Sequence, residues 1–208
     1  MPDRASNPEV RRRILEAARK LFLEQGFEAA NLDEVAQRAS VAKGTIYRYF
    51  ENKAELYVEV LVWNADAFVA RMRQTLDESL SPADQILETG RFYVRHYAEH
   101  PEYFRIFWAV DNQRMIGELP EPLLDAVWDI WKRCLAIAVE IIERGVKEGA
   151  FLAGDPWQTA TLLWVLANGL IQSESDPHRR ELRGSSLEEL VDHAFALVVR
   201  GMSTQVPG

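Results

Sequence analysis

The sequence predicts an all-α protein, with three short N-terminal helices joined by a long fourth helix to a larger helical remainder. Three observations carry this expectation. Apolar residues recur with a 3.6-residue rhythm in nearly every segment, and few alternating β-branched runs compete with it. Helix starts are marked by capping residues and prolines along the whole chain. At 208 residues and 48% hydrophobic, the chain is long enough to bury a substantial core.

Asn7-Pro8 supplies an N-cap followed by proline at the first helical position, where no backbone N–H is needed. Ile14, Ala18, Leu21 and Phe22 then share one face, and Gly26 is expected to end the helix with Phe27 turned toward Phe22. Asn31, with Glu34 three residues on, opens a short second helix that turns Leu32, Val35, Ala36 and Ala39 inward. Ser40, Val41 and Ala42 lead to a third helix on which Ile46 and Phe50 sit four apart. Asn52-Lys53-Ala54-Glu55 repeats the cap pattern and opens a helix expected to reach about residue 80. Phe22, Leu32, Val35, Val41, Ile46 and Phe50 can tie the first three helices into one small core, a helix-turn-helix layout. Beyond it, Pro82, Pro101, Pro120, Pro122, Pro156 and the box Ser186–Glu189 place helices near 82–99, 101–114, 121–148, 156–173 and 186–202. Residues 174–185 read as a polar, charged loop.

The charge is divided unevenly. Residues 1–56 hold ten Lys/Arg and nine Asp/Glu, so the other 152 residues carry −9 of the formal −8. A polyanion would be repelled by the second part, and any nucleic acid would bind at the N-terminal end. No apolar run is long enough for a membrane span, and the start MPDRASNPEVRRR lacks the apolar stretch of a secretory signal. One cysteine, Cys134, permits no internal disulfide, which suits a reducing, cytoplasmic setting.

The stretch SVAKGTIYRYFENK concentrates the cations and phenol rings. With Ile46 and Phe50 inward, Thr45, Arg48 and Tyr49 project outward, flanked by Lys43, Gly44 and Tyr47. Such a face can enter a major groove, with Thr45 at a base edge and phenols, lysine and arginine on phosphates. Lys53 stands at the start of the fourth helix, where free N–H groups already favour an anion. On spacing alone, the lesser alternative is that YRYF is ordinary core plus solvated surface, since any small helical hairpin would look similar.

The segment ILEAARKLFLEQGFEAANLDEVAQRASVAKGTIYRYFENKAEL, within residues 10–57, resembles the N-terminal domain of the tetracycline-repressor (TetR) family of bacterial transcriptional regulators. The pattern A-x-x-L-F-x-x-x-G-F, then V-A-x-R-A, then K-G-T-I-Y-R-Y-F-x-x-K carries the likeness, which covers about a quarter of the chain. The resemblance implies base or phosphate contacts from Lys43, Gly44, Thr45, Tyr47 and Tyr49, with phosphate anchoring at Lys53 and near Asn31. It also implies a helix-turn-helix domain over 1–56 and a helical ligand-sensing and dimerisation domain over 57–208. Two positions depart from the family pattern. Ser40 stands where glycine is common, so a positive φ is expected there, and Ala42 replaces a capping serine.

The second part supplies material for a sensor. All six tryptophans lie there, and the density of rings near RFYVRHYAEHPEYFRIFWAV suggests a stiff-walled pocket. Its expected lining is Trp63, Phe92, Tyr97, Phe104, Trp108, Trp131 and Trp164, with Arg95, Asn112 and Asn168 orienting an otherwise apolar ligand. His96 and His100 have metal-binding spacing on a helix, but no further ligands accompany them and the helix dipole already favours histidine there. No metal or other cofactor is expected. Leu163, Leu187, Leu190, Val191, Ala194, Phe195 and Val198 are expected to form a dimer interface between the last two helices.

These readings converge on a ligand-responsive repressor, a homodimer on a palindromic double-stranded operator, released by a small apolar effector. An acyl chain or acyl-CoA and an aromatic drug-like compound both suit such a pocket. The alternative is an all-α enzyme or cofactor carrier, for which the sequence offers no nucleophile–base set, no paired metal carboxylates and no nucleotide loop. A non-specific DNA-packaging protein is disfavoured by the acidic remainder.

Overall fold

A computed structural model describes residues 7–101, 103–104, 110, 119–174 and 176–204. Its helices are α1 (Pro8–Ala29), α2 (Leu32–Arg38), α3 (Lys43–Tyr49), α4 (Lys53–Arg73), α5 (Pro82–Glu99), α6 (Glu121–Lys147), α7 (Pro156–Glu174), α8 (Pro177–Arg183) and α9 (Leu187–Met202). The only extended pairing among the described residues is one bridge between Phe151 and Ser203. The helix expected over 101–114 lies mostly outside the described residues. No described helix is long and apolar enough to cross a membrane.

The chain forms two compact units, residues 1–66 with 101–129, and residues 67–100 with 130–208. The helix α4 continues unbroken through residue 56, and its residues from Ala67 onward belong to the second unit.

In the first unit, the Asn7 side chain accepts from the Glu9 and Val10 N–H groups, with Pro8 beside it, as the cap pattern predicts. Gly26 leaves helical geometry (φ 77°, ψ 177°), yet one more turn follows to Ala29, so the glycine offsets α1 rather than ending it. Phe27 still turns back, its ring 6.5 Å from Phe22 and 4.9 Å from Tyr57. Ile14, Leu15, Leu21, Val35, Ile46, Phe50 and Leu56 are buried at the centre. Arg11 sits 5.6 Å from the Phe50 ring and pairs with Glu59 at 2.6 Å, joining α1, α3 and α4.

In the second unit, α5 packs on α7 and α9, and α7 on α9. The helix α4 stops at Arg73, well short of residue 80. A buried side chain far along the sequence ends it: Gln85 Nε2 donates to the Thr75 carbonyl (2.8 Å), and Gln85 Oε1 accepts from the Asp77 N–H (2.6 Å). At 21 residues, α4 spans roughly 30 Å. The expected loop over 174–185 contains α8, capped by Asp176, begun by Pro177 and closed by left-handed Gly184. Past α9, the Leu152 N–H donates to Met202 O (2.7 Å) and the Thr204 N–H to Ala150 O (3.0 Å), fastening the chain end to the α6–α7 turn.

Ser40 adopts φ 54°, as the turn demands, and Ala42 gives α3 no side-chain cap. Ser40→Gly should therefore stabilise the protein by about 1 kcal/mol, since a left-handed conformation costs a non-glycine residue roughly 1–2 kcal/mol. Ala42→Ser should add about 1 kcal/mol through the missing cap. Denaturant midpoints measured at unchanged m check both.

Candidate nucleic-acid interface and apolar cavity

In α3 the rotation follows from two side chains. Ile46 and Phe50 are each 1% exposed, while Lys43, Gly44, Tyr47 and Arg48 are exposed and Thr45 is half-buried at the rim. Nothing lies within 4 Å of a side chain added at Gly44, so its backbone is open to close approach.

Neighbouring groups already engage several of these residues. Lys43 Nζ pairs with Asp33 at 2.8 Å, and the carboxylate raises its pKa. Lys53 Nζ donates to the Glu28 carbonyl (3.1 Å) and lies 4.7 Å from the Phe27 ring; partial burial lowers its pKa. Asn31 accepts from the Asp33 N–H (2.9 Å) as the cap of α2. The Tyr49 hydroxyl accepts from the Asn7 N–H (3.0 Å), so this phenol straps the end of α3 to the start of α1. Asn31, Lys43, Tyr47 and Lys53 share one open cleft of about 460 Å³ with Asn52. The sequence reading passed over Asn52 as a site residue, although its place in the cap pattern marked it: its Oδ1 accepts from the Glu55 N–H (2.8 Å).

The second unit encloses an apolar cavity of about 50 Å³ between α5, α6, α7 and α9, with Met72 from α4. Of the expected pocket residues, Trp164 lines it. Asn168 meets it indirectly, accepting from the hydroxyl of the lining Tyr93 at 3.0 Å. Trp131 packs on Trp164 with ring centroids 5.8 Å apart. Phe92 and Tyr97 belong to a ring cluster with Phe68, Tyr93 and His96. Arg95 faces a separate cleft beside Arg91 and Glu99. Phe104 is buried in the first unit, and Trp63, in the same unit, is 36% exposed. Trp108 and Asn112 lie outside the described residues.

The void opens where the helices carry small residues, at Gly90, Ala138, Ala160 and Ala167. The Phe195 ring rests so closely on Gly90 that any β-carbon there would collide with it. Those small residues were the signal available in the sequence. Cys134 is a buried lining residue, its thiol pushed up to about 12 by burial.

The apolar residues of α7 and α9 divide between two faces. Leu163, Val191 and Phe195 are buried within their own unit. Leu187, Leu190, Ala194 and Val198 are half-buried, and Leu162, Val165 and Leu197 are exposed at 56%, 55% and 53%.

With this geometry in place, the comparisons are direct. Residues 14–60 match the family model for bacterial regulatory proteins of the TetR type. A transcriptional regulator of Staphylococcus aureus (strain USA300) is 35% identical over 126 residues, 60% of this chain and 68% of that protein. The chain belongs to the TetR family. The transcriptional activator FasR of Mycolicibacterium smegmatis is 40% identical over 137 residues, 63% of each chain. Among solved structures, FadR of Bacillus subtilis in complex with stearoyl-CoA aligns over 92% of this chain and 99% of its own, at 20% identity and TM-score 0.68. The ketosteroid regulator KstR2 of Mycobacterium tuberculosis aligns over 93% and 96%, at 20% identity and TM-score 0.63. At those identities the structures speak for the fold alone.

The His96 and His100 rings lie tilted against each other with centroids 4.9 Å apart, and no group of three or more metal-ligating side chains occurs among the described residues. Burial first, then the charge of Arg71 and His100, lowers the His96 pKa from 6.5 to about 4. The folded state therefore holds a neutral ring that the unfolded chain protonates below its ordinary pKa. Its contribution is present above about pH 6.5 and is lost as pH falls toward about 4. His96→Phe should flatten that part of the stability profile, measured by denaturant titration at about pH 7 and about pH 4.5.

Proposed function

We propose that this TetR-family regulator is a homodimeric, effector-released repressor of a palindromic operator. One observation carries the DNA half of the reading: Ile46 and Phe50 are sealed inward while Lys43, Gly44, Tyr47 and Arg48 face solvent on a seven-residue helix. A helix presented this way suits the major groove, with Thr45 at base edges and Tyr47 and Arg48 at flanking phosphates. Lys43 and Lys53 would trade an exposed carboxylate and a carbonyl for phosphate oxygens. Tyr49, tied to Asn7, would act mainly by holding the helix in place.

The exposed Leu162, Val165 and Leu197 support dimerisation through the outer faces of α7 and α9, since such a surface is uncommon on a monomer. The apolar cavity supports an uncharged, largely apolar effector moiety. The related proteins point to two chemistries, the acyl chain of stearoyl-CoA and a ketosteroid. Repression is favoured by the name of the repressor KstR2 of Mycolicibacterium smegmatis, 28% identical over 72% of each chain.

Selection of bound sequences from random DNA, followed by binding at several salt concentrations, tests the reading. A palindrome should emerge, with affinity falling steeply as salt rises. Thr45→Ala should relax sequence preference by roughly tenfold at one base step, since a good base contact discriminates by about 1–3 kcal/mol. Lys53→Ala should weaken all sequences alike and flatten the salt slope. The opposite pattern would exchange the two roles, and equal affinity for selected and random DNA would reject specific regulation.

A further inference from the structure

The hydrogen bonding of the cavity wall narrows the effector to a chemical class, an inference that rests on the regulator reading above. Four lining residues bear polar groups: Thr89, Tyr93, Cys134 and Trp164. The Thr89 hydroxyl accepts from Gln85 Nε2 at 3.2 Å and lies 3.1 Å from Thr75 Oγ1. Thr75 directs its own proton to the Met72 carbonyl at 2.8 Å, so the proton between the two threonines belongs to Thr89. The chain Gln85–Thr89–Thr75–Met72 is thus complete, with no donor left over for the cavity. On the opposite wall, the Tyr93 hydroxyl donates to Asn168 Oδ1 at 3.0 Å and is hydrogen-bonded to the Trp164 side chain. The indole can only donate, so the phenol is used in both directions. Cys134 contributes a weakly polar thiol.

A ketone, amide or carboxylate placed in this space would lose water and gain no partner. The penalty is roughly ten- to a hundredfold in affinity per group. Shape adds a second constraint. The void of about 50 Å³ is small, and its walls alternate the flexible Met72, Leu135 and Leu163 with the small Ala138 and Ala160. A chain one methylene wide can lengthen the space by turning such side chains one after another. A rigid fused-ring system must part helix backbones across its full width at once.

We propose that the cavity receives an unbranched acyl chain, with the polar head of the molecule left outside it. The shared ligand chemistry is the hydrocarbon chain, whether supplied as a free fatty acid or as an acyl thioester of coenzyme A.

The experiment is calorimetric titration of the full-length protein with two homologous series, octanoate to palmitate and octanoyl-CoA to palmitoyl-CoA. Cholest-4-en-3-one serves as the polycyclic comparison. Affinity should rise about three- to fourfold per methylene in whichever series binds, until the chain fills the space. A parallel slope in both series assigns recognition to the chain, and the offset between them identifies the natural head. The ketosteroid should bind at least about tenfold more weakly than the best chain. Ala138→Phe should weaken palmitoyl binding by at least about tenfold. If that variant does not fold by circular dichroism, the slope and the steroid comparison on the natural chain decide.

Affinity independent of chain length overturns the proposal, as does a steroid that binds as well as palmitoyl, or palmitoyl affinity indifferent to Ala138→Phe. The two readings fail separately. A protein that shows the methylene slope but binds no selected operator retains the ligand class and loses the regulatory role. One that binds its operator but shows no slope loses the ligand class alone.

Discussion

The inward seating of Ile46 and Phe50 is the constraint on which the DNA-facing surface depends. A helix of seven residues has little stability of its own, because nucleation costs more than one or two turns return. It persists here because one side is sealed, at about 1.5–3 kcal/mol for each large apolar side chain buried. That seal sets the rotation of every other residue on α3. Arg11, bonded to Glu59 and poised over Phe50, closes the seat from the α1 side, and the Tyr49–Asn7 bond fixes its end. The left-handed Ser40 and the uncapped Ala42 together cost about 2 kcal/mol, less than the two buried side chains supply. The turn can therefore depart from its usual glycine without losing the helix.

Electrostatics then decides what this surface can meet. The cleft cations do not stand alone: Lys43 has Asp33, and Lys53 has the Glu28 carbonyl and the Phe27 ring. These are exposed or half-exposed arrangements, worth little in water and easily exchanged. On the proposed reading, a phosphate entering the cleft would replace one weak partner with a stronger one, with the lysines already positioned. The acidic remainder of the chain discourages every other orientation on a polyanion.

Elements written by local chemistry were legible in the sequence, and those written by distant partners were not. The caps at Asn7, Ser81 and Ser186 mark their helices because cap and helix are neighbours in the chain. The core of the first unit was legible through the spacing of Phe22, Val35, Ile46 and Phe50. The end of α4 was not. Its apolar rhythm runs on through Leu76 and Leu80, and the side chain that stops it, Gln85, arrives from the next helix. The helix α8 announced itself by Asp176-Pro177 and Gly184, but its charge concealed those marks. Of the rings expected in a pocket, Phe92 stacks with Phe68 and His96, whereas the described cavity takes part of its wall from Gly90, Ala138, Ala160 and Ala167, whose small size is only a faint signal in a sequence.

The smallness of that space bears on how a ligand can act as a switch. A ligand that fits a conformation already present, and fits every conformation equally, shifts no equilibrium however tightly it binds. On the proposed reading, a cavity of about 50 Å³ cannot hold a long hydrocarbon as it stands, so binding would select a state in which its walls have moved. The free energy of burying each methylene would then fall to the widened form alone. Met72 belongs to this wall, and its carbonyl accepts from Thr75 at the end of α4. Under that proposal, widening the cavity would therefore act on the last turn of α4.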